Sequence, residues 1–166
     1  CAPHDTVFAF VGSGFSRKGL DAAVAAIAQT PYRLVVVGNG RSTAPSNPRI
    51  RFVAGKEDPR PYYAAADCFL LPSRYDPFPN TALEALAMGL PAIVSARCGA
   101  AEVIEPGVNG WVCQPDDVAG IVRLLREADA AIRAGNPLGG AARATAERFG
   151  FHAMAQKLVE LYRKLQ

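Results

Sequence analysis

The chain has 166 residues, half of them hydrophobic and 20% charged, a composition that builds one packed domain and not a disordered segment. Lys plus Arg number 18 against 15 Asp plus Glu, a net charge of +3. The cations are scattered and not interleaved with aromatics, so nucleic acid is not an expected partner, although a few of them suffice for a small anion.

Residues 7–11 (VFAFV) form a continuous apolar run closed by Gly12-Ser13-Gly14, the pattern of a strand buried on both faces. Residues 19–29 are Ala-rich with helical spacing and stop at Pro31. Residues 33–37 (RLVVV) read as a second strand ended by Gly38-Asn39-Gly40, and after a polar loop residues 50–54 (IRFVA) read as a third. A short helix over 61–66 leads to a fourth strand, 68–71, closed by Pro72. A helix over 79–88 follows, then a fifth strand over 91–95 and a short sixth at 110–113. Beyond Asp116 the pattern is helical to the end, with breaks near 135–137 and at Phe149-Gly150.

Alternating strands and helices, with apolar strands, predict an α/β Rossmann-like, doubly wound parallel sheet of about six strands with helices on both faces and right-handed crossovers. Ligands of such sheets lie beyond the carboxyl ends of the strands, near the point where strand order reverses. The residues just after the strands are therefore the ones to inspect.

Two segments stand there. Residues 12–19 (GSGFSRKG) form a glycine-rich turn after the first strand, where backbone can approach a ligand and helix-start N–H groups favour anions. Arg17 and Lys18 add two positive charges, which suits a pyrophosphate. The plain alternative is a tight turn with two solvated cations. The dinucleotide fingerprint G-x-G-x-x-G fails because the third glycine comes too late, and no Walker phosphate loop occurs.

The second segment runs from Tyr75 to Pro91. Pro79 fits a first helical turn, leaving the N–H groups of Asn80 and Thr81 free to meet a phosphate or sugar oxygen. Glu84 follows Asn80 by one turn and shares its side; a carboxylate accepts well from two neighbouring hydroxyls. Asp76 precedes the helix. The alternatives are that Glu84 pairs with a lysine or caps something, and that Asp76 only makes a turn.

The four cysteines (Cys1, Cys68, Cys98, Cys113) form no C-x-x-C pair and only His4 and His152 accompany them, so no zinc site is expected. All four read as reduced thiols of a cytosolic protein, Cys68 and Trp111 as core. The first residues lack a basic segment followed by an apolar one, so no signal peptide is expected there, and no apolar stretch reaches membrane-spanning length. Glu102 reads as a first-turn acid.

The Asp76-x7-Glu84 spacing, followed by Ala-Leu-Ala-Met-Gly-Leu-Pro, resembles the E-x7-E signature of retaining glycosyltransferases of family four. These have the GT-B architecture of two Rossmann-like domains. The segments around Gly12–Gly19, Val35–Gly40, Tyr63–Asp67 and Gly107–Gly110 are similar to that family's and stand in its order. The first of them looks most like the lipopolysaccharide-core hexosyltransferases.

The resemblance implies that residues 1–166 are the C-terminal, nucleotide-sugar-binding domain. Lys18 then binds the pyrophosphate, with Arg17 in place of a second family cation whose usual position is Ser13 here. Glu84 accepts from the ribose hydroxyls. Asp76, one methylene shorter than the family glutamate, contacts the donor sugar. Gly14 belongs to the phosphate turn, the backbone of Phe78, Pro79, Asn80 and Thr81 meets sugar and phosphates, and Gly55 and Lys56 flank the base.

The implied reaction is retaining hexosyl transfer from a nucleoside diphosphate sugar, uridine diphosphate glucose being the first guess, to a glycan or lipid-linked acceptor. No cofactor or metal is expected, and no D-x-D motif occurs. The implied partner is an N-terminal acceptor domain, without which the fragment transfers little or nothing. The last helix, 151–166, either packs toward that domain or covers the sheet. The location implied is cytoplasmic, with peripheral association at the inner membrane face. A nucleotide-sugar epimerase of the same fold, a non-catalytic nucleotide-binding domain and an ordinary dinucleotide-binding oxidoreductase are the competing readings.

Overall fold

The computed structural model describes residues 5–40, 46–55 and 58–165. Six parallel strands form one sheet: β1 (Val7–Val11), β2 (Arg33–Gly38), β3 (Ile50–Ala54), β4 (Cys68–Leu71), β5 (Ala92–Ser95) and β6 (Gly110–Cys113). Their spatial order is β3-β2-β1-β4-β5-β6. The chain winds outward in one direction from β1, returns, and winds outward in the other from β4. The order therefore reverses between β1 and β4, and a crevice opens beyond their carboxyl ends.

The helices are α1 (Leu20–Ala28), α2 (Arg60–Ala64), α3 (Asn80–Ala87), α4 (Val118–Arg133), α5 (Leu138–Glu147) and α6 (Phe151–Lys164), with a short 3₁₀ helix at Gly99–Val103. α1 packs with α4, and α3 with α5, so the sheet is covered on its two sides by separate helix pairs. Each pair presents small or branched residues inward: Ala22, Ala23, Ala26 and Ile27 from α1 meet Ile121, Leu125 and Ala128 from α4 in one continuous core. Ala-rich faces let helix and sheet approach closely, and strands buried on both sides have no room for polar residues. β1, β4 and β5 obey this almost without exception.

Element boundaries agree with the sequence pattern to within two residues. The exception to the uniform burial is β3, an edge strand whose Arg51 and Phe52 face outward, Phe52 half exposed. Edge position leaves one flank of β3 without a neighbouring strand, and a charged residue there is a normal way to blunt an open edge. Trp111 and Cys68 are core residues, as their apolar surroundings led us to expect. Among the described residues no helix is long and apolar enough to cross a membrane.

Candidate functional site

β1 ends at Val11 and the chain turns at once through Gly12. The Gly12 φ is 151°, and a Cβ there would meet Lys18 Cδ and Cε at 2.7 Å. The glycine thus leaves a trough in which the Lys18 stem lies. The turn folds back on itself: the Lys18 N–H donates to the Gly14 carbonyl (3.2 Å) and the Leu20 N–H to the Phe15 carbonyl (3.0 Å). Phe15 drops into the core against Phe10, their ring centroids 6.1 Å apart. Anchoring Phe15 inward fixes the direction in which Arg17 and Lys18 leave the turn.

Both cations reach Asp76. Lys18 Nζ lies 3.0 Å from Asp76 Oδ2, and Arg17 Nη1 lies 3.1 Å from the same oxygen. Arg17 Nη1 also donates to the Tyr75 carbonyl at 2.9 Å. Lys18 is only 8% exposed and Asp76 only 7%, whereas the Arg17 side chain is half exposed. A buried ammonium and a buried carboxylate are each costly alone and tolerable together. Asp76 is held from behind as well. Its N–H donates to the Arg97 carbonyl, its carbonyl accepts from Gly99 N–H at 3.0 Å, and it bridges to Cys98 as a parallel strand would. Gly99 permits that lacing, since a Cβ there would sit 1.9 Å from the Pro77 carbonyl oxygen. The carboxylate expected to face a sugar is thus, in the free chain, the counter-ion of the two expected phosphate cations.

α3 starts where Pro79 adopts an extended conformation (φ −74°, ψ 118°). The Ala82 N–H turns back to the Pro79 carbonyl, and the N–H groups of Asn80 and Thr81 have no acceptor among the described residues. Such a helix start is ready for an anion. The hydroxyls of Ser73 and Thr81, on the same β4–α3 stretch, are enclosed without a hydrogen-bond partner among the described residues. The Phe78 ring leans on Phe149 (6.2 Å between centroids) and, with Asn80, Leu83, Arg148, Met154 and Lys157, lines a cavity of about 610 Å³.

Glu84 lies one turn into α3, exposed, and takes no part in the Lys18–Asp76 cluster. Its partner is Tyr63 of α2, whose hydroxyl donates to Glu84 Oε2 at 3.0 Å. Gly55 follows β3 and donates its N–H to the Asn39 side chain at 3.2 Å. Gly14 is open on its outer side, with nothing within 4 Å of a Cβ built there. Glu102 is exposed on the 3₁₀ helix, and His152 lies in the first turn of α6. Lys56, Cys1 and His4 lie outside the described residues.

Sequence reasoning missed a clamp on the glycine-rich turn. Arg74, just after β4, donates from Nη1 to the Ser16 carbonyl (2.7 Å) and from Nε to both carboxylate oxygens of Asp116 (3.1 and 3.0 Å). The Arg74 N–H donates to the Arg17 carbonyl at 2.9 Å. Asp116 holds a φ of 61°, a conformation that Asp tolerates better than most residues. The only sequence signal was the position of Arg74 in the loop after a central strand. The thiols of Cys68, Cys98 and Cys113 are free and buried, and burial pushes all three upward, Cys113 to about 12.

A parallel sheet with cations and an open helix start gathered at its point of reversal defines the class of doubly wound α/β domains, whose ligand sites lie beyond the carboxyl ends of the strands. Residues 5–128 match the family described as "Glycosyl transferases group 1", and the chain belongs to that family. It is 52% identical over 60 residues to the lipopolysaccharide 1,6-galactosyltransferase of Escherichia coli K12, covering 35% of this chain and 16% of that protein. Sucrose-phosphate synthase of Thermosynechococcus elongatus superposes with a TM-score of 0.83 at 28% identity, covering 97% of this chain and 45% of that one. Anabaena HepE, solved in complex with UDP and glucose, superposes with a TM-score of 0.83 at 21% identity, covering 96% of this chain and 48% of the other. The chain spans about half the length of these solved structures, and its alignments cover 16% to 37% of the first three curated relatives.

Proposed function

We propose that this chain holds the donor, a nucleoside diphosphate sugar, for retaining hexosyl transfer to a glycan or lipid-linked acceptor. The observation that carries the reading is the convergence of Lys18 and Arg17 on Asp76 at the reversal of strand order. A leaving diphosphate gains negative charge as the glycosidic bond breaks. Cations and N–H groups fixed in place stabilise that charge more in the transition state than in the ground state. Lys18 and Arg17 take the diphosphate, with the N–H groups of Asn80 and Thr81 beside it. Asp76, freed from the cations, accepts from the hexose hydroxyls. Glu84 accepts from the ribose, Gly14 lets the backbone approach the phosphates, and Gly55 and Lys56 flank the base.

The acceptor site belongs, in this reading, to an N-terminal domain that a full-length protein supplies. α6 suits contact with it: Met154, Leu158, Leu161 and Tyr162 are exposed on that helix, and Leu165 just past its end. The full-length enzyme works in the cytoplasm, at the inner membrane face when the acceptor is lipid-linked. HepE, whose sheet this chain shares, was solved with UDP, which makes uridine diphosphate glucose the first donor to try.

Titration calorimetry of this chain with uridine diphosphate glucose tests the reading. We expect weak binding, with Kd on the order of 1 mM or below. Glu84→Ala removes an acceptor for two hydroxyls and weakens binding by about tenfold or more. Flat heats with the unaltered chain at high ligand concentration would count against donor binding; an unchanged Glu84→Ala isotherm would remove the ribose role.

A further inference from the structure

Glu84 is an exposed side chain on a short helix, and such a glutamate samples many rotamers. It is nevertheless held. The Tyr63 hydroxyl donates to Glu84 Oε2 at 3.0 Å and lies 3.3 Å from the Thr81 carbonyl oxygen, so it sits in a notch of α3. Tyr63 itself is enclosed: it is 1% exposed, and its ring packs against Phe69 of β4 with centroids 6.1 Å apart. A rigid donor rooted in the core therefore fixes the direction of a flexible acceptor at the surface. The contact borders a cavity of about 350 Å³ between α2 and α3 that Asp58, Arg60, Tyr63, Glu84 and Met88 line.

We infer that Tyr63 is a positioning residue that aims the Glu84 carboxylate at a sugar cis-diol and so makes the site select ribonucleotides over deoxyribonucleotides. The inference rests on the reading that Glu84 meets the ribose. A carboxylate offers about four lone-pair directions. Tyr63 occupies one on Oε2, and Oε1 has no partner among the described residues, so two adjacent hydroxyls find acceptors without competing for the same oxygen. A 2′-deoxyribose supplies one donor fewer, and an acceptor built for a hydroxyl discriminates against the analogue that lacks it. Burial, with the neighbouring Glu84 charge, holds the Tyr63 phenol well above its ordinary range, so the donated proton stays in place at any working pH.

The test measures affinities of UDP, ADP and GDP and their 2′-deoxy forms, carrying forward the tightest pair, for the unaltered chain, Tyr63→Phe, Glu84→Ala and Glu84→Gln. Tyr63→Phe keeps the ring and removes only the hydroxyl. The unaltered chain is expected to prefer the ribonucleotide by about tenfold. Tyr63→Phe is expected to lose most of that preference through the ribonucleotide alone, with deoxynucleotide affinity unchanged and the melting profile intact. If Tyr63→Phe weakens both ligands equally, or keeps the full preference while Glu84→Ala loses it, the inference is overturned and the ribose role of Glu84 survives. If Glu84→Ala also keeps the preference, or the unaltered chain shows none, the ribose reading falls and takes the inference with it. Should Tyr63→Phe fail to fold, Glu84→Gln decides. Tyr63 then holds the amide oxygen and turns the NH₂ toward the diol, which abolishes the preference; a retained preference overturns the inference.

Discussion

Lys18 and Asp76 make the most consequential contact between single residues in the molecule. Both are nearly enclosed, and each is the other's principal partner. Removing one member of such a pair leaves a charge in a poor solvent, at a cost of roughly 3–5 kcal/mol. Lys18→Ala should fall at the low end, because Arg17 still reaches Asp76 Oδ2. Chemical denaturation of the variant measures that loss, and a cost near zero would show that Asp76 finds water instead. The same variant should bind uridine diphosphate glucose far more weakly than its residual fold explains. Arg17→Ala, which alters a half-exposed side chain, should cost little stability, so the two cations separate structural from binding contributions.

Among the elements, the glycine-rich turn is braced from outside. Arg74 ties the Ser16 carbonyl to Asp116, and its own N–H holds the Arg17 carbonyl. The Arg74–Asp116 pair is solvent-exposed, and such pairs contribute at most about 1 kcal/mol. Arg74→Ala is thus expected to leave the melting temperature nearly unchanged while lowering nucleotide affinity several-fold through a looser turn. Equal affinity for both forms would show that the turn is held by its own hydrogen bonds. This brace marks where the sequence stopped being readable. Strands β1, β3, β4 and β6 could be placed residue by residue, because apolar runs bounded by Gly and Pro admit few alternatives. The Arg17–Lys18 turn and the start of α3 could be found because each follows a central strand. Nothing in local pattern pairs Arg74 with Asp116, 42 positions away, or Tyr63 with Glu84, 21 away. Those contacts exist only once the sheet order is set. The exposure of β3 was hidden for a related reason, since a mostly apolar pentapeptide with one arginine does not by itself reveal that it lies at an edge.

At the scale of the whole molecule, a polar cluster at the amino ends of the inner strands joins helix to sheet. Asp129 of α4 accepts from the Thr6 hydroxyl ahead of β1, from the Tyr32 hydroxyl ahead of β2 (3.2 Å), and from Arg133 Nε (2.7 Å). Burial raises the Asp129 carboxyl, but the bonds from Thr6 and Arg133, the Arg133 charge and the bond from Tyr32 outweigh it and hold the group below its ordinary value. A carboxyl lowered in the fold adds stability that is present above its unfolded value and lost as pH falls through the folded one. Asp129→Ala should therefore cost about 1–3 kcal/mol near neutrality. The gap in melting temperature between variant and parent should close on acidification through the carboxylate range. A gap independent of pH would assign the loss to packing alone.

The cradle at the reactive edge, by contrast, comes with its own counter-charge. In the proposed reading, because Asp76 already neutralises Lys18, an incoming diphosphate does not fall onto naked cations; it competes for them with a carboxylate laced to the chain beyond β5. Two cations against one carboxylate leave the empty cluster with a single net positive charge, so the exchange gives up part of the attraction that bare cations would supply. On that reading the lysine exchanges one acid for another, and the acid it releases is the one proposed to meet the sugar.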